Sequence, residues 1–291
     1  MSAANSFVAE SPDPRVVSPT NPVTEEIART VATAPKYRDL APATILRAAE
    51  LAARAHRDDL ESATKYAKGK LHQWVGAYRD PEIRKFGRQV EEFLATPYLP
   101  HDLERFALEA LKRHASTAER IGEMERIYPH LLEELEIANE ITILDLCGGM
   151  HAFALPLFRG ERRIRYRGFD CDGAVAMLAD RFVRALSTDA SVECRDVIAD
   201  PPLEPCDVVW LFKAAPCLER QAEGATRRLL EQLRAKSVVL SFPTRSLGGR
   251  EKGMVENYSG FVKSLADELH RSIRVIEFSS ETFYVLTESR A

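Results

Sequence analysis

The sequence predicts an α/β protein: a doubly wound, mostly parallel sheet ending in an antiparallel hairpin, preceded by an all-helical N-terminal domain. Three observations predict it. The hydrophobic period changes from helical to strand-like after Asn139. Short apolar runs then alternate with helical stretches, and three of those runs close on or near an aspartate.

Taken in order, residues 1–22 are rich in Ser, Pro and Ala with few large apolar groups, and read as a flexible tail. Residues 23–137 form the helical domain, with amphipathic spacing over 44–55, 58–77, 81–94 and 101–113, punctuated by Pro81, Pro97 and Pro100. No internal repeat is present. The third segment, 138–291, opens with the buried strand Ile141–Leu146, which runs into Cys147-Gly148-Gly149. A strand at Tyr166–Asp170, a helix at Val175–Leu186 and a short strand ending near Asp196 follow. Asp207–Lys213 and Ser237–Pro243 are further strands, separated by a helical stretch over Ala222–Lys236. Ser272–Phe278 and Thr282–Glu288 flank Ser279-Ser280-Glu281 as the hairpin.

The 291 residues fit two modest domains, and 45% hydrophobic with 29% charged residues is a globular balance. The longest mostly apolar run, Ile141–Phe158, is broken by Asp145 and a glycine pair, so no membrane span is expected. The first residues lack a basic start followed by an apolar stretch, so no secretory signal is expected. Five cysteines, an odd number without a CxxC pair, suggest neither a disulfide framework nor a metal site, and point to the reducing cytoplasm. A net charge of −4 excludes a uniformly basic nucleic-acid binder. It leaves room for a local patch: between residues 36 and 90, twelve Lys/Arg face seven acids.

A strand ending in a carboxylate and a glycine turn suits an adenosyl ligand at the carboxyl edge of a sheet. Asp145-Leu146-Cys147-Gly148-Gly149 fits, though it lacks a third glycine. Asp170, twenty-five residues on, can accept ribose hydroxyls, and Asp196 can receive an adenine amino group. Each acid could also be a helix N-cap, and the spacing alone leaves a dehydrogenase open.

Other motifs narrow the choice. Ser241-Phe-Pro-Thr-Arg245-Ser-Leu-Gly-Gly-Arg250-Glu-Lys252-Gly-Met254, His114-Ala115-Ser116-Thr117, Lys70-Leu71-His72, and Lys213 with Pro216-Cys217-Leu218-Glu219 and Gln221 occur in one order. Together they resemble the aminoglycoside-resistance 16S rRNA (guanine-N7) methyltransferases. The resemblance runs from about Lys36 onward. It implies a class I methyltransferase sheet over 138–291 that binds S-adenosylmethionine, and a helical rRNA-docking domain. It also implies a 30S-bound substrate and a monomeric enzyme. By that resemblance His114, Ala115, Ser116 and Arg120 lie along the methionine end, with Arg120 pairing its carboxylate. Cys147, Gly148 and Gly149 line the turn, Asp170 holds the ribose, and Asp196 and Val197 face the adenine. Phe212, Gln221 and Trp74 complete the pocket. Three departures stand out: Ala118 where members carry arginine, Gly148-Gly149-Met150-His151-Ala152 after the first strand, and Ala214-Ala215 after Lys213.

Guanine N7 has a lone pair and no proton, so alignment suffices and no general base is expected. Lys213 is the candidate catalytic residue, orienting the base or its phosphate. Lys65, Lys68 and Lys70, with Arg245, Arg250 and Lys252, are the candidate RNA contacts. The rival reactions are cytosine C5 attack through Cys217 and adenine N1 methylation. A rival of another class is an RNA-binding protein with a decayed pocket.

Overall fold

The computed structural model describes residues 21–76, 78, 80–135, 140–158, 160, 162–244 and 254–288. Helices α1 (Pro22–Ala32) and α2 (Pro42–Ala55) both begin on proline, whose missing N–H is no loss in a first turn. Asn21 accepts from the Val23 amide at 3.0 Å, and α1 therefore starts within the segment read as a tail. Asp59 caps α3 (Leu60–Leu71) through the Ser62 amide. A π-helical turn, His72–Gly76, extends α3. Helices α4 (Ile83–Leu94), α5 (Pro100–Leu111), α6 (Ala115–Ala118) and α7 (Met124–Glu134) follow.

The strands are β1 (Glu140–Leu146), β2 (Arg163–Asp170), β3 (Ala190–Cys194), β4 (Cys206–Phe212), β5 (Ala235–Pro243), β6 (Arg271–Glu277) and β7 (Glu281–Glu288). They form one sheet in the order β3-β2-β1-β4-β5-β7-β6. The first five run parallel; β7 is antiparallel to β5 and to β6. The connecting helices are α8 (Leu155–Phe158), α9 (Gly173–Leu186), α10 (Ala215–Gln221), α11 (Ala225–Gln232) and α12 (Met254–Glu268). The helix expected over Ala222–Lys236 is the shorter α11, and its last expected residues, Ala235 and Lys236, belong to β5; α10 before it had no counterpart in the sequence reading. Gly224, with φ 69°, separates α10 from α11, and Glu219 accepts from the Gly224 and Thr226 amides. Asp196 lies two residues beyond β3 rather than at its end.

Packing divides the helical half. Helices α1 to α3 enclose their own core of Ile27, Val31, Ala48, Ala52, Ala67 and Leu71. Helices α4, α5 and α7 instead lay Phe86, Leu111 and Tyr128 onto one face of the sheet, beside Phe153, Phe182 and Trp210. Helices α10 to α12 cover the other face with Leu218, Leu229 and Val262. Cover on both faces explains why β1 and β4 read as continuous apolar runs. Among the described residues no helix is long and apolar enough to cross a membrane.

The two halves are joined at the carboxyl end of β2. Leu40 bridges antiparallel to Asp172, the Ala41 amide donates to the Cys171 carbonyl at 2.8 Å, and the Gly173 amide donates to the Asp39 carbonyl at 2.8 Å. A Cβ on residue 173 would stand 2.6 Å from that carbonyl oxygen. Gly173→Ala is therefore expected to destabilise the protein by ~1–3 kcal/mol through overpacking against backbone. Urea denaturation checks this; a change under about 0.5 kcal/mol would mean that 39–41 yields freely.

Candidate functional site

Sheet order reverses between β1 and β4, and a crevice for a ligand opens there, outside the strand ends. Both strands leave the sheet through a left-handed corner on a residue that is not glycine: Cys147 and Lys213 each have φ 57°. Cross-strand bonds hold the corners. The Cys147 amide donates to the Phe169 carbonyl at 2.7 Å, and the Lys213 amide to Ser241 at 3.0 Å. Strain of this kind persists only where the surroundings impose it, and it gathers at functional sites.

The cavity between these corners brings together Trp74, His114, Ser116, Cys147, Gly149, Asp170, Phe212, Lys213 and Gln221. Val75, Tyr78, Cys171 and Cys217 also line it; the sequence reading had not placed them in the pocket. Gly149 has φ 55°, and a Cβ there would come within 3.0 Å of the His114 ring. A glycine is required for the helical half to lie on the turn. The His114 ring is 2.8 Å from the Ser116 hydroxyl, and burial pushes its pKa down to about 4, so it is neutral. Asp170 accepts from the Gly149 and Asp172 amides, each at 2.8 Å. Burial outweighs those bonds and raises its pKa to about 6. Burial also raises the Cys147 and Cys171 thiols well above their usual value.

An apolar cleft adjoins this cavity, sharing Tyr78, Ser116 and Lys213 with it. Its walls include Ala115, Glu119, Pro216, Phe242, Tyr258 and Phe261, with the Phe242 and Tyr258 rings stacked 4.4 Å apart. Lys213 stands at the join. Its ammonium donates to Glu119 at 2.6 Å and to the Ser116 carbonyl at 3.3 Å, and lies 3.4 Å from Glu281. Cys217 is held by Tyr78 at 3.5 Å and Arg220 at 3.1 Å and faces the first cavity, not the cleft.

Several expected roles change. Arg120 is buried at 1% exposure, and its fork grips Glu281 at 2.8 and 2.9 Å. Nε and Nη2 are thus taken by the protein's own carboxylate, Nη1 has no hydrogen-bond partner among the described residues, and Arg120 does not line the cavity. Asp196 accepts from Arg47 at 2.8 and 3.0 Å, Thr44 at 2.6 Å, and the Ile198 and Ala199 amides. Its oxygens are taken, which leaves no lone pair aimed at an adenine amino group. Burial would raise its pKa, but Arg47 and Thr44 outweigh that and hold it low. Val197 is buried in the core below the crevice, and Ala115 lines the cleft rather than the cavity. Gly148 sits behind the turn, where a Cβ would meet the Asp145 carboxylate at 2.8 Å. Arg47, counted in the basic patch, points inward. Arg245, Arg250 and Lys252 lie outside the described residues.

The altered turn after β1 has a structural reason. Asp145 is fully buried, accepts from Tyr166, and lies 2.7 Å from the His151 ring. The other nitrogen of that ring meets Tyr128 at 2.8 Å. The Gly-Gly-Met-His departure thus supplies an internal partner for a buried acid.

Comparison with known proteins accords with this geometry. A family profile described as "Ribosomal RNA methyltransferase (FmrO)" matches residues 33–285. The chain belongs to that family. It is an S-adenosylmethionine-dependent ribosomal RNA methyltransferase. A 16S rRNA (guanine(1405)-N(7))-methyltransferase of Micromonospora echinospora is 30% identical over 266 residues, 90% of this chain and 96% of the relative. One of Serratia marcescens with the same name is 32% identical over 78% of this chain and 83% of the relative. The crystal structure of the 16S rRNA methyltransferase RmtF with S-adenosyl-L-homocysteine superposes with TM-score 0.78. It is 26% identical and covers 93% of this chain and 100% of its own. The fold is also that of the 16S rRNA methylase RmtB, with TM-score 0.73 over 91% of this chain and 98% of its own at 24% identity.

The residues present fit the cofactor. Cys147 and Gly149 line the cavity from the turn after β1, and Asp170 presents a carboxylate into it. Ionised Asp170 accepts hydroxyls; protonated, it loses that capacity. Because its pKa is raised to about 6, cofactor affinity should be intact above that pH and fall below it, by up to about tenfold per pH unit. Calorimetry with S-adenosylhomocysteine from about pH 7.5 to about 5 tests this; a flat profile would remove Asp170 from the ribose contact.

Proposed function

We propose that this enzyme methylates N7 of guanine 1405 of 16S rRNA within the assembled 30S subunit, acting as a cytoplasmic monomer, and so confers aminoglycoside resistance. The observation that carries this reading is the aromatic cleft continuous with the donor cavity, with Lys213 at the join. S-adenosylmethionine, when bound, supplies an electrophilic methyl. The chain's own residues have the task of presenting the nucleophile.

In A-form RNA the groove that displays N7 is deep and narrow, so the target guanine has to leave its helix. Tyr78 and Tyr258 line the cleft that would take an extruded base, with the buried Phe242 backing the Tyr258 ring, and one such stack returns ~1–3 kcal/mol. Lys213, held by Glu119, the Ser116 carbonyl and Glu281, brings a positive charge to the join, and would reach the base or its phosphate by exchanging the exposed Glu119 for it. No proton leaves N7. The neutral His114 and the anchored carboxylates accordingly serve as walls and struts rather than as a base. Cytosine C5 attack would need a thiol in the cleft, whereas Cys217 faces the donor cavity. Methylation of purified 30S subunits, followed by strand scission at N7-methylguanosine, should map one modified guanine in the decoding site. A methyl on cytosine or adenine would overturn the reading.

Docking falls to α3, where Lys65 is exposed and Lys70 lies 5.2 Å over the Tyr66 ring. Replacing Lys65, Lys68 and Lys70 with Glu should sharply weaken 30S binding and reduce its salt slope by about one unit per lost phosphate contact. Cofactor affinity should stay near its original value. Filter binding over a salt series decides, and wild-type binding by the triple variant would exclude this face.

A further inference from the structure

The two left-handed corners that flank the crevice are joined from beneath by a buried chain of polar side chains. Asp145, two residues before the Cys147 corner, accepts from Tyr166 through Oδ2, and the same oxygen faces His151 Nδ1 at 2.7 Å. An oxygen that accepts from one neighbour accepts from the other as well, so Nδ1 carries a hydrogen. His151 Nε2 lies 2.8 Å from the Tyr128 hydroxyl. In the neutral ring that nitrogen can only accept, which commits the Tyr128 hydrogen to it. A charged ring would leave that hydrogen without an acceptor among the described residues. Burial raises the Tyr128 phenol, so the hydrogen stays on, and the Arg120 charge beside it opposes that rise. Arg120 in turn grips Glu281, which lies 3.4 Å from the Lys213 ammonium at the second corner. Phe212, a wall of the donor cavity, rests on the middle of the chain. Its ring centroid is 5.0 Å from that of His151 and 4.9 Å from the Arg120 guanidinium.

We propose that His151 is a positioning residue for methyl transfer: by taking the Tyr128 hydrogen it turns the phenol oxygen toward Arg120, and through Arg120 and Glu281 it holds Lys213 at the join of cavity and cleft. The inference rests on the reading of Lys213 as the group that orients the target. Arg120 needs that oxygen, because its Nη1 has no hydrogen bond among the described residues while Nε and Nη2 are spent on Glu281. A guanidinium only donates; a phenol presenting its hydrogen repels it, and one presenting lone pairs steadies it. Without His151 the phenol rotates between the two, in a buried site where no water screens a misdirected dipole. The effect reaches the reaction because Glu281 is the carboxylate that keeps Lys213 when the exposed Glu119 gives way to the target. A tilt of Arg120 moves Glu281 and the ammonium with it, and about 1 Å of misplacement can cost transfer about 100-fold. His151 belongs to the stretch in which this chain departs from the members it resembles, so the device is this chain's own.

The test compares His151→Leu, His151→Gln and Tyr128→Phe with wild type, as full chains acting on purified 30S subunits. Rates are taken per active site, counted by the stoichiometry of S-adenosylhomocysteine binding in calorimetry, so that unfolded protein does not enter them. His151→Leu and Tyr128→Phe should each lose about tenfold or more in kcat, with S-adenosylhomocysteine and 30S affinities within about threefold of wild type. The double variant should be no slower than either alone, because His151 acts through Tyr128. His151→Gln supplies one donor and one acceptor and should recover most of the loss. Tyr128→Phe carries the comparison if the Leu variant does not fold. Nitrogen NMR of histidine-labelled wild type should show the His151 ring protonated on Nδ1 alone. A merely structural His151 would lower the yield or the unfolding midpoint yet leave the rate per site unchanged, and that result overturns the proposal. So do multiplied losses in the double variant, or a ring protonated on both nitrogens. Lys213→Met at the wild-type rate would instead refute the reading of Lys213 on which the proposal rests.

Discussion

Glu281 buries a full negative charge where β4 and β5 end and β7 begins, and the site is arranged around it. Arg120 grips it from the helical half, Lys213 approaches from the corner after β4, and Ser241 donates from β5. Burial would push its carboxyl upward, but the two cations outweigh that and hold it below the usual range. Such a cluster is seldom a large net source of stability, since desolvation consumes most of the attraction. Its strength is conditional: with any one member gone, the remaining charges are stranded in the core. Lys213 is thereby fixed at the join of the two cavities, and the 114–120 segment is fixed beside it.

Much of the architecture was legible because strand and helix periods differ and because both sheet faces are covered. The five parallel strands, the hairpin and the first two acids follow from apolar runs with carboxylate ends. The pocket lining was legible in part: Gly149, Asp170, Phe212 and Gln221, far apart in sequence, line one cavity. Arg120 and Asp196 were assigned outward-facing roles because a sequence shows a charged residue but not its partner. Glu281 is 161 positions from Arg120, and Arg47 is 149 from Asp196. No local spacing reports such pairs. His151 was similarly opaque; it reads as a departure in a glycine turn until Asp145 and Tyr128 are seen around it.

The donor cavity belongs to both halves of the chain. Trp74, on the π-helical turn that continues the Lys-rich helix α3, reaches into it, and Tyr78 lines both the cavity and the cleft. Helix α2 meets the same cavity through Arg47, and the strand-like contact at 39–41 fixes the seam. Any displacement of helices α1 to α3 is therefore transmitted to the pocket through a few short, directional bonds.

The position of Glu281 also has a consequence for how the protein is made. Residues of α1 to α3 can close their small core early in synthesis. Arg120 and Lys213 emerge long before their shared counter-charge, and until residue 281 leaves the exit tunnel Arg120 lacks the carboxylate that its fork grips while Lys213 has Glu119 and the Ser116 carbonyl. A nascent chain can thus hold a nearly complete sheet yet lack the buried charge that fixes the corner after β4. The join between cavity and cleft acquires its full set of contacts only with β7, the last strand made.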